Sequence, residues 1–161
     1  MPLEKLTAKT AWLLSTVGFL RPSDVERIDL HQRSVSPDLV LKLVILAPKE
    51  KRQGNRITKA VTIHPHNNPL LCPVLAYHAY GLKIAHSEAI TPHPAFPEIL
   101  INALFRKLNQ HSAAIGHERI SKYVQSIMIL VSRPLGFPIP KARALGSTLA
   151  AQLGISVDDI Q

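Results

Sequence analysis

Cysteine is nearly absent from this chain of 161 residues, and Cys72 is the only one. One thiol excludes an intramolecular disulfide framework and a zinc site built from cysteine pairs. We therefore expect a reducing, intracellular location, nuclear if the source is eukaryotic. Cys72 itself is expected to be a small core residue.

Long hydrophobic runs are also missing. The longest candidate, AWLLSTVGFL (Ala11–Leu20), is too short to span a bilayer. The charged RPSDVERID segment that follows it lacks the small-residue pattern of a signal-peptide cleavage site. We interpret this run as a core helix and expect no membrane partner.

Aromatic and acidic residues are scarce. Aromatics make up 5% of the chain while apolar residues reach 46%, so the core of a single domain over residues 1–161 should consist of Leu, Ile, Val and Ala. Nineteen Lys and Arg oppose eleven Asp and Glu, for a net charge of +8. This excess favours a polyanionic partner, although a solvated basic surface without a partner would show the same charge.

Several catalytic signatures are absent as well. The chain has no Gly-rich phosphate loop, no G-x-S-x-G elbow and no paired-carboxylate signature. Its eight histidines, including His64 and His66, lie mostly in Pro-rich stretches without Cys or carboxylates at ligand spacing. We therefore expect no metal site and no small-molecule cofactor.

Apolar spacing predicts an α+β fold that is mainly helical, with a small β-hairpin or sheet packed on helices. One helix should end near Gly18 to Leu20, and a second should run through Val25 and Ile28. The hairpin strands are predicted at Leu39–Ala47 and Arg56–His64, joined by a basic loop over Pro48–Asn55. The later predictions are helices at Val74–Ala85, Glu118–Arg133 and Lys141–Leu153, and a strand or a helix at Ile99–Phe105.

Three segments occur in an order that resembles the catalytic domain of tyrosine recombinases, the phage-integrase family, and especially its crypton-type members. They are TVGFLRPSDVERIDL (Thr16–Leu30), APKEKRQGNRITKAVTI (Ala47–Ile63) and PKARALGSTLAAQLGISVDDI (Pro140–Ile160). The first is similar to the family's "TGxRxxE" segment, the second to its lysine-bearing hairpin and the third to its "HxxR" helix. The resemblance covers nearly the whole chain and implies an integrase-type fold.

The resemblance also implies roles for individual residues. Arg21 would be the first catalytic arginine, with Asp24 in the acidic position beside it, and Arg143 the second. The catalytic lysine would be Lys49, with Lys51 as the alternative. The further DNA-contacting residues would be Lys51, Arg52, Arg56 and Lys141.

These residue types suit DNA strand transfer. Two guanidiniums can offer paired donors to the non-bridging oxygens of a scissile phosphate, and a lysine can protonate the leaving oxygen. Simpler roles remain open: Arg21 could pair with Asp24, Arg143 could be a solvated helix residue, and the hairpin cations could be a solubilising turn.

The chain departs from the family pattern in two ways. Pro140 occupies the histidine position, and no tyrosine follows Arg143; Tyr77, Tyr80 and Tyr123 all precede it and are expected to be structural. We therefore expect a C-terminally incomplete domain that binds duplex DNA in recombination or integration but does not cleave it alone. A homo-oligomer on DNA, a catalytically dead mobile-element relic and a basic protein-interaction domain remain open alternatives.

Overall fold

The computed structural model describes residues 1–52 and 55–130 and is mixed α+β, as predicted. Within these residues the helices are α1 (Leu3–Gly18), α2 (Pro22–Glu26), α3 (Pro73–Lys83) and α4 (His117–Met128). The strands are β1 (Ser34–Val35), β2 (Leu41–Arg52), β3 (Asn55–Ile63), β4 (Ile90–Pro92), β5 (Leu100–Asn102), β6 (Arg106–Lys107) and β7 (Gln110–Ala114). All strand pairs are antiparallel, in the orders β1-β2-β3, β4-β5 and β6-β7.

Helix α1 is the central element of the core and ends where the sequence predicts. Phe19 adopts a left-handed conformation with φ of 55°, and the Leu20 N–H donates to the Ser15 carbonyl at 2.9 Å. Gly18 allows a close approach to β3, because a Cβ there would lie 3.3 Å from Ile63 Cδ1. None of the described helices, α1 included, has the length and hydropathy that a membrane crossing requires.

The three-stranded sheet packs one face on the helices. Leu41, Leu43 and Ile45 alternate with more exposed residues along β2, and all three are fully buried. Val61 and Ile63 of β3 lie opposite Leu43 and Leu41 on the same face. The period-2 pattern of the sequence therefore determines which face enters the core.

The prediction of a loop over Pro48–Asn55 is wrong, because β2 continues to Arg52 and β3 begins at Asn55. The register passes from Leu46↔Thr58 directly to Lys51↔Arg56, so residues 47–50 face a single residue of β3. This segment is a large bulge in β2. Pro48 has no N–H to donate to a ladder, and Ala47 has a positive φ of 45°, which explains why the regular pairing is interrupted there.

Other boundaries differ from prediction in informative ways. Helix α2 ends at Glu26 instead of continuing through Ile28, because Ile28 forms a bridge with Ile45 of β2. Periodicity could not distinguish a strand from a helix over Ile99–Phe105, and pairing with β4 makes β5 a strand. Helix α4 ends at Met128, while the predicted helix over Lys141–Leu153 lies outside the described residues.

A buried chain of polar groups links the sheet region to the second half of the domain. The Asn102 N–H donates to Asp29 Oδ1 at 3.0 Å, and Arg106 Nη2 donates to Asn102 Oδ1 at 3.4 Å. The Arg106 backbone N–H donates to Tyr80 Oη at 2.9 Å. This network connects the segment after α2 with β5, β6 and α3.

Arg106 is fully buried, and no carboxylate among the described residues lies within ion-pair distance of it. Its guanidinium instead donates to the carbonyls of Ala103, Ser87 and His111 at 2.8, 2.7 and 2.9 Å. Burial lowers the pKa of Arg106 from its ordinary value. The planar fork of an arginine can satisfy these separated acceptors at once, which a lysine cannot do.

We predict that Arg106→Lys lowers the free energy of unfolding by about 3 kcal/mol, because buried carbonyls lose their donors while a charge stays buried. Urea unfolding followed by circular dichroism measures this effect. Arg119→Lys, at an exposed position of α4, is the matched control and should change stability by less than about 0.5 kcal/mol. Equal effects of the two substitutions would contradict a structural role for Arg106.

Tyr80 makes stability dependent on alkaline pH. Burial raises the pKa of its hydroxyl from 10.0 to about 12. Because the folded-state pKa exceeds the unfolded one, this contribution is complete below pH 10 and is lost as pH rises towards 12, by about 3 kcal/mol in total. Tyr80→Phe should be less stable at pH 8 by about 1 kcal/mol, since the Arg106 N–H loses its acceptor, but should lose less stability between pH 9 and 11. Urea unfolding at several pH values tests this, and parallel pH profiles would refute it.

Candidate nucleic-acid interface

Arg21 stands at the N-terminus of α2 with an exposed side chain. It is the N-cap residue, with extended backbone angles (φ −81°, ψ 156°), and Pro22 follows at the first helical position. Its backbone N–H donates to Asp24 Oδ2 at 3.1 Å. Among the described residues, no carboxylate forms an ion pair with the Arg21 guanidinium. The suggested pairing of Arg21 with Asp24 is therefore a backbone contact, which leaves the guanidinium exposed to solvent.

Asp24 is buried, unlike Arg21. Its carboxylate occupies the third position of α2 and caps the free N–H at the start of the helix, as in one half of a capping box. The acidic residue beside Arg21 thus stabilises the turn on which the arginine stands.

Arg27 joins the end of α2 to the start of the β2 bulge. Its Nη1 donates to the Ala47 carbonyl at 2.7 Å, and its own carbonyl accepts from the Leu46 N–H at 3.1 Å. The Asp29 N–H donates to the Val44 carbonyl at 2.9 Å. Through these bonds, the segment that follows α2 lies alongside β2 and pairs with it like a short additional strand.

His93 forms a second side-chain contact to β2, at the residue before Ala47. Its Nδ1 accepts from the N–H groups of Ala95 and Phe96 at 3.0 and 3.1 Å, so the proton must be on Nε2. That Nε2–H donates to the Leu46 carbonyl at 2.7 Å. Two buried side chains, Arg27 and His93, therefore bind the consecutive carbonyls of Leu46 and Ala47 where the ladder is interrupted.

The basic hairpin residues begin immediately beyond this anchored point. Lys49 lies within the bulge, Lys51 pairs in register with Arg56, and Arg52 pairs with Asn55. The residue after the anchored carbonyl of Ala47 is Pro48, and Lys49 follows it. Helix α2 rises about 1.5 Å per residue, so Arg21 and Arg27 are separated along it by about 9 Å. The short helix α2 thus links Arg21 directly to the base of the basic hairpin.

Lys59 is a basic residue that the sequence analysis missed. It pairs with Ile45 in the ladder and is half-buried on the core-facing side of the sheet, beyond Val61 and Ile63. The sequence pattern of β3 contained a signal for this position, because Lys59, Val61 and Ile63 are spaced two residues apart and therefore lie on the same face of the strand. Its place in the ladder, opposite Ile45, adds a third lysine to Lys49 and Lys51 near the anchored carbonyls of β2.

A cleft lies at the C-terminal end of α2, the end away from Arg21. Its volume is about 480 Å³, and its lining residues are Glu26, Lys107, Ala114, Ile115, Gly116, His117, Glu118, Arg119 and Lys122. None of its basic residues, which come from β6 and α4, belongs to a motif of the sequence. They are distant in sequence from the motifs, and only the packing of α4 near α2 brings them close to Glu26.

Two predicted site residues, Arg143 and Lys141, lie outside the described residues, as does Pro140. The structure describes backbone positions for Lys49, Lys51, Arg52 and Arg56. Within the described part of the chain, no group of three or more His, Cys, Asp or Glu side chains is arranged to hold a metal ion.

The three tyrosines have hydroxyls that ionise less readily than usual. Burial raises the pKa of Tyr77, Tyr80 and Tyr123, and the nearby Glu4 carboxylate raises that of Tyr123 further. An activated nucleophile requires a lowered pKa or an adjacent base. These environments therefore agree with the structural roles expected for all three.

We predict that Arg27→Met loosens the attachment of β2 to the segment after α2, because the Ala47 carbonyl loses its Nη1 donor. The free energy of unfolding should fall by about 1–3 kcal/mol. Hydrogen exchange at the amides of Leu46 and Asp29 should accelerate more than exchange in α1. The control is Arg33→Met, which removes a more exposed donor to Leu30. Uniform acceleration in both variants would argue against a local anchor.

Neither a protein-family model nor a curated protein sequence matches the chain.

Proposed function

We propose that this chain is the DNA-binding part of a catalytic domain of the tyrosine-recombinase, or phage-integrase, type. It binds duplex DNA through Arg21 and the basic β2–β3 hairpin and takes part in DNA recombination or integration. Arg143 and Lys141 would complete the phosphate-binding surface. Strand cleavage by this chain alone is not expected.

The observation that carries the proposal is the anchoring of α2 to β2. Arg27 and His93 bind the carbonyls of Ala47 and Leu46, at the start of the bulge that contains Lys49. The end of the helix that bears Arg21 is thus hydrogen-bonded to the base of the hairpin that bears the lysines. A catalytic arginine and a mobile proton donor must approach the same phosphate, so this arrangement supports the resemblance beyond the order of motifs.

The electrostatics of the described residues agree with this proposal. The Asp24 carboxylate is used by the helix N-terminus, so it does not neutralise the exposed guanidinium of Arg21. In the backbone register of the hairpin, Lys51 pairs with Arg56 and Arg52 with Asn55, so these three cations are close together along the chain near the turn. Arginine and lysine contacts to phosphates supply most non-specific DNA affinity.

The expectation that this chain does not cleave DNA alone rests on its tyrosines. Burial raises the pKa of Tyr77, Tyr80 and Tyr123, and all three precede Arg143. An activated nucleophile needs a lowered pKa or an adjacent base, and burial shifts all three pKa values in the opposite direction. Cleavage would require a tyrosine from another segment or another chain.

We predict salt-dependent binding of duplex DNA. Fluorescence anisotropy with a labelled duplex at several salt concentrations should give a negative log–log slope of several units. Arg21→Gln should reduce the slope by about 1 and weaken binding of unrelated duplexes uniformly. Lys49→Gln combined with Lys51→Gln should reduce it by about 2. The matched control is Lys83→Gln, at an exposed position of α3, which should leave the slope unchanged.

Two outcomes would contradict the proposal. Absence of binding at low salt would exclude a DNA-binding role and favour a basic protein-interaction domain. A covalent protein–DNA adduct on a suicide substrate would show that the chain cleaves DNA without a further tyrosine.

A further inference from the structure

The cleft beside α4 carries a cluster of cations. Lys107 comes from β6, whereas Arg119 and Lys122 lie three residues apart on α4 and therefore share one face of the helix. All three are exposed at the cleft. Among the described residues, no carboxylate forms an ion pair with any of them. Their positive charge is thus available to a ligand.

The two acidic residues of the cleft only partly offset this charge. The His117 Nδ1–H donates to Glu26 Oε2 at 3.1 Å, so the Glu26 carboxylate already has a partner on the cleft wall. Glu118 lies in the first turn of α4, where a carboxylate is stabilised by the helix dipole. The three cations exceed the two carboxylates of the cleft by one, so the cleft has a net positive charge that attracts an anion.

The backbone at the start of α4 adds hydrogen-bond donors. The first intrahelical bond runs from the Ile120 N–H to the Gly116 carbonyl at 3.1 Å. Gly116 is the N-cap residue and provides no capping side chain. The N–H groups of His117, Glu118 and Arg119 are therefore not used within the helix, and all three residues line the cleft.

From this combination we infer that the cleft is a second phosphate-binding site, bound by Lys107, Arg119, Lys122 and the amides of residues 117–119. This inference rests on the proposed function for its natural ligand, a phosphodiester of the DNA backbone. Glu26 on the cleft wall is five residues from Arg21, or about 8 Å along α2. DNA carries a phosphate for every 3.4 Å of rise on each strand, so one duplex can reach both places.

The test uses the full chain and two double variants of equal charge. Arg119→Gln with Lys122→Gln removes two cleft cations. Lys5→Gln with Lys83→Gln removes two exposed cations, on α1 and α3, that do not line the cleft. We expect the first pair to weaken duplex binding several-fold and reduce the salt slope by about 2, and the second to reduce it by less than about 0.5. Glu118→Gln removes a negative charge from the cleft and should therefore strengthen duplex binding.

Inorganic phosphate tests the site separately from DNA. Titration of isotopically labelled protein with phosphate should shift the amide resonances of residues 117–119 in the wild type and not in the Arg119→Gln/Lys122→Gln variant. Thermal unfolding checks that all variants remain folded.

The outcomes separate this inference from the proposed function. Phosphate binding at these amides without any duplex binding would support the site as one for a free phosphate and refute the proposed DNA-binding function. Duplex binding that both double variants weaken equally, with no phosphate shifts at residues 117–119, would refute the site and leave the Arg21 interface intact.

Discussion

The buried polar chain from Asp29 through Asn102 and Arg106 to Tyr80 is the interaction on which the rest of the structure depends. It crosses the domain between the segment after α2, the short strands β5 and β6, and helix α3. The β4–β5 and β6–β7 pairs are too short to be stable as isolated hairpins. Arg106 gives them a common partner, because its guanidinium reaches carbonyls before β4, between β5 and β6, and within β7. A buried charge with no carboxylate partner among the described residues is tolerated because these acceptors replace the lost water.

The proposed DNA-binding surface depends on a related principle. Where β2 loses its ladder partners, the carbonyls of Leu46 and Ala47 would be left unsatisfied without Arg27 and His93. These two buried side chains anchor the first residue of the bulge, two residues before Lys49. Arg21 precedes a helix whose first turn is capped by Asp24 and whose end is bonded to the same part of β2. Pre-organisation of this kind would reduce the entropy that the proposed DNA binding has to overcome.

The helices were predictable because their signals are local. The apolar spacing of α1, α3 and α4 and the prolines at the start of α2 and α3 act within a few residues of chain. The hairpin was predicted as a pair of strands, but the predicted strands stop short of the turn, most of all β2, which continues to Arg52. Polar residues and Pro48 look like a loop, while pairing between Lys51 and Arg56 is a cross-strand interaction that no local pattern shows. Ile28 was predicted to be helical but bridges with Ile45. This pairing was also invisible to local patterns, because Ile45 is distant in sequence.

By itself, the sequence determined the basic charge, the α+β composition, the core face of the sheet and the resemblance that singles out Arg21, because each of these is a property of residue type or of short-range spacing. Only the tertiary structure decided that Asp24 serves the helix and leaves the Arg21 guanidinium exposed, that Arg27 and His93 anchor the hairpin, and that Lys107 joins Arg119 and Lys122 around one cleft. These relations depend on which distant backbone carbonyls, amides and charges are brought within hydrogen-bonding reach when the chain folds.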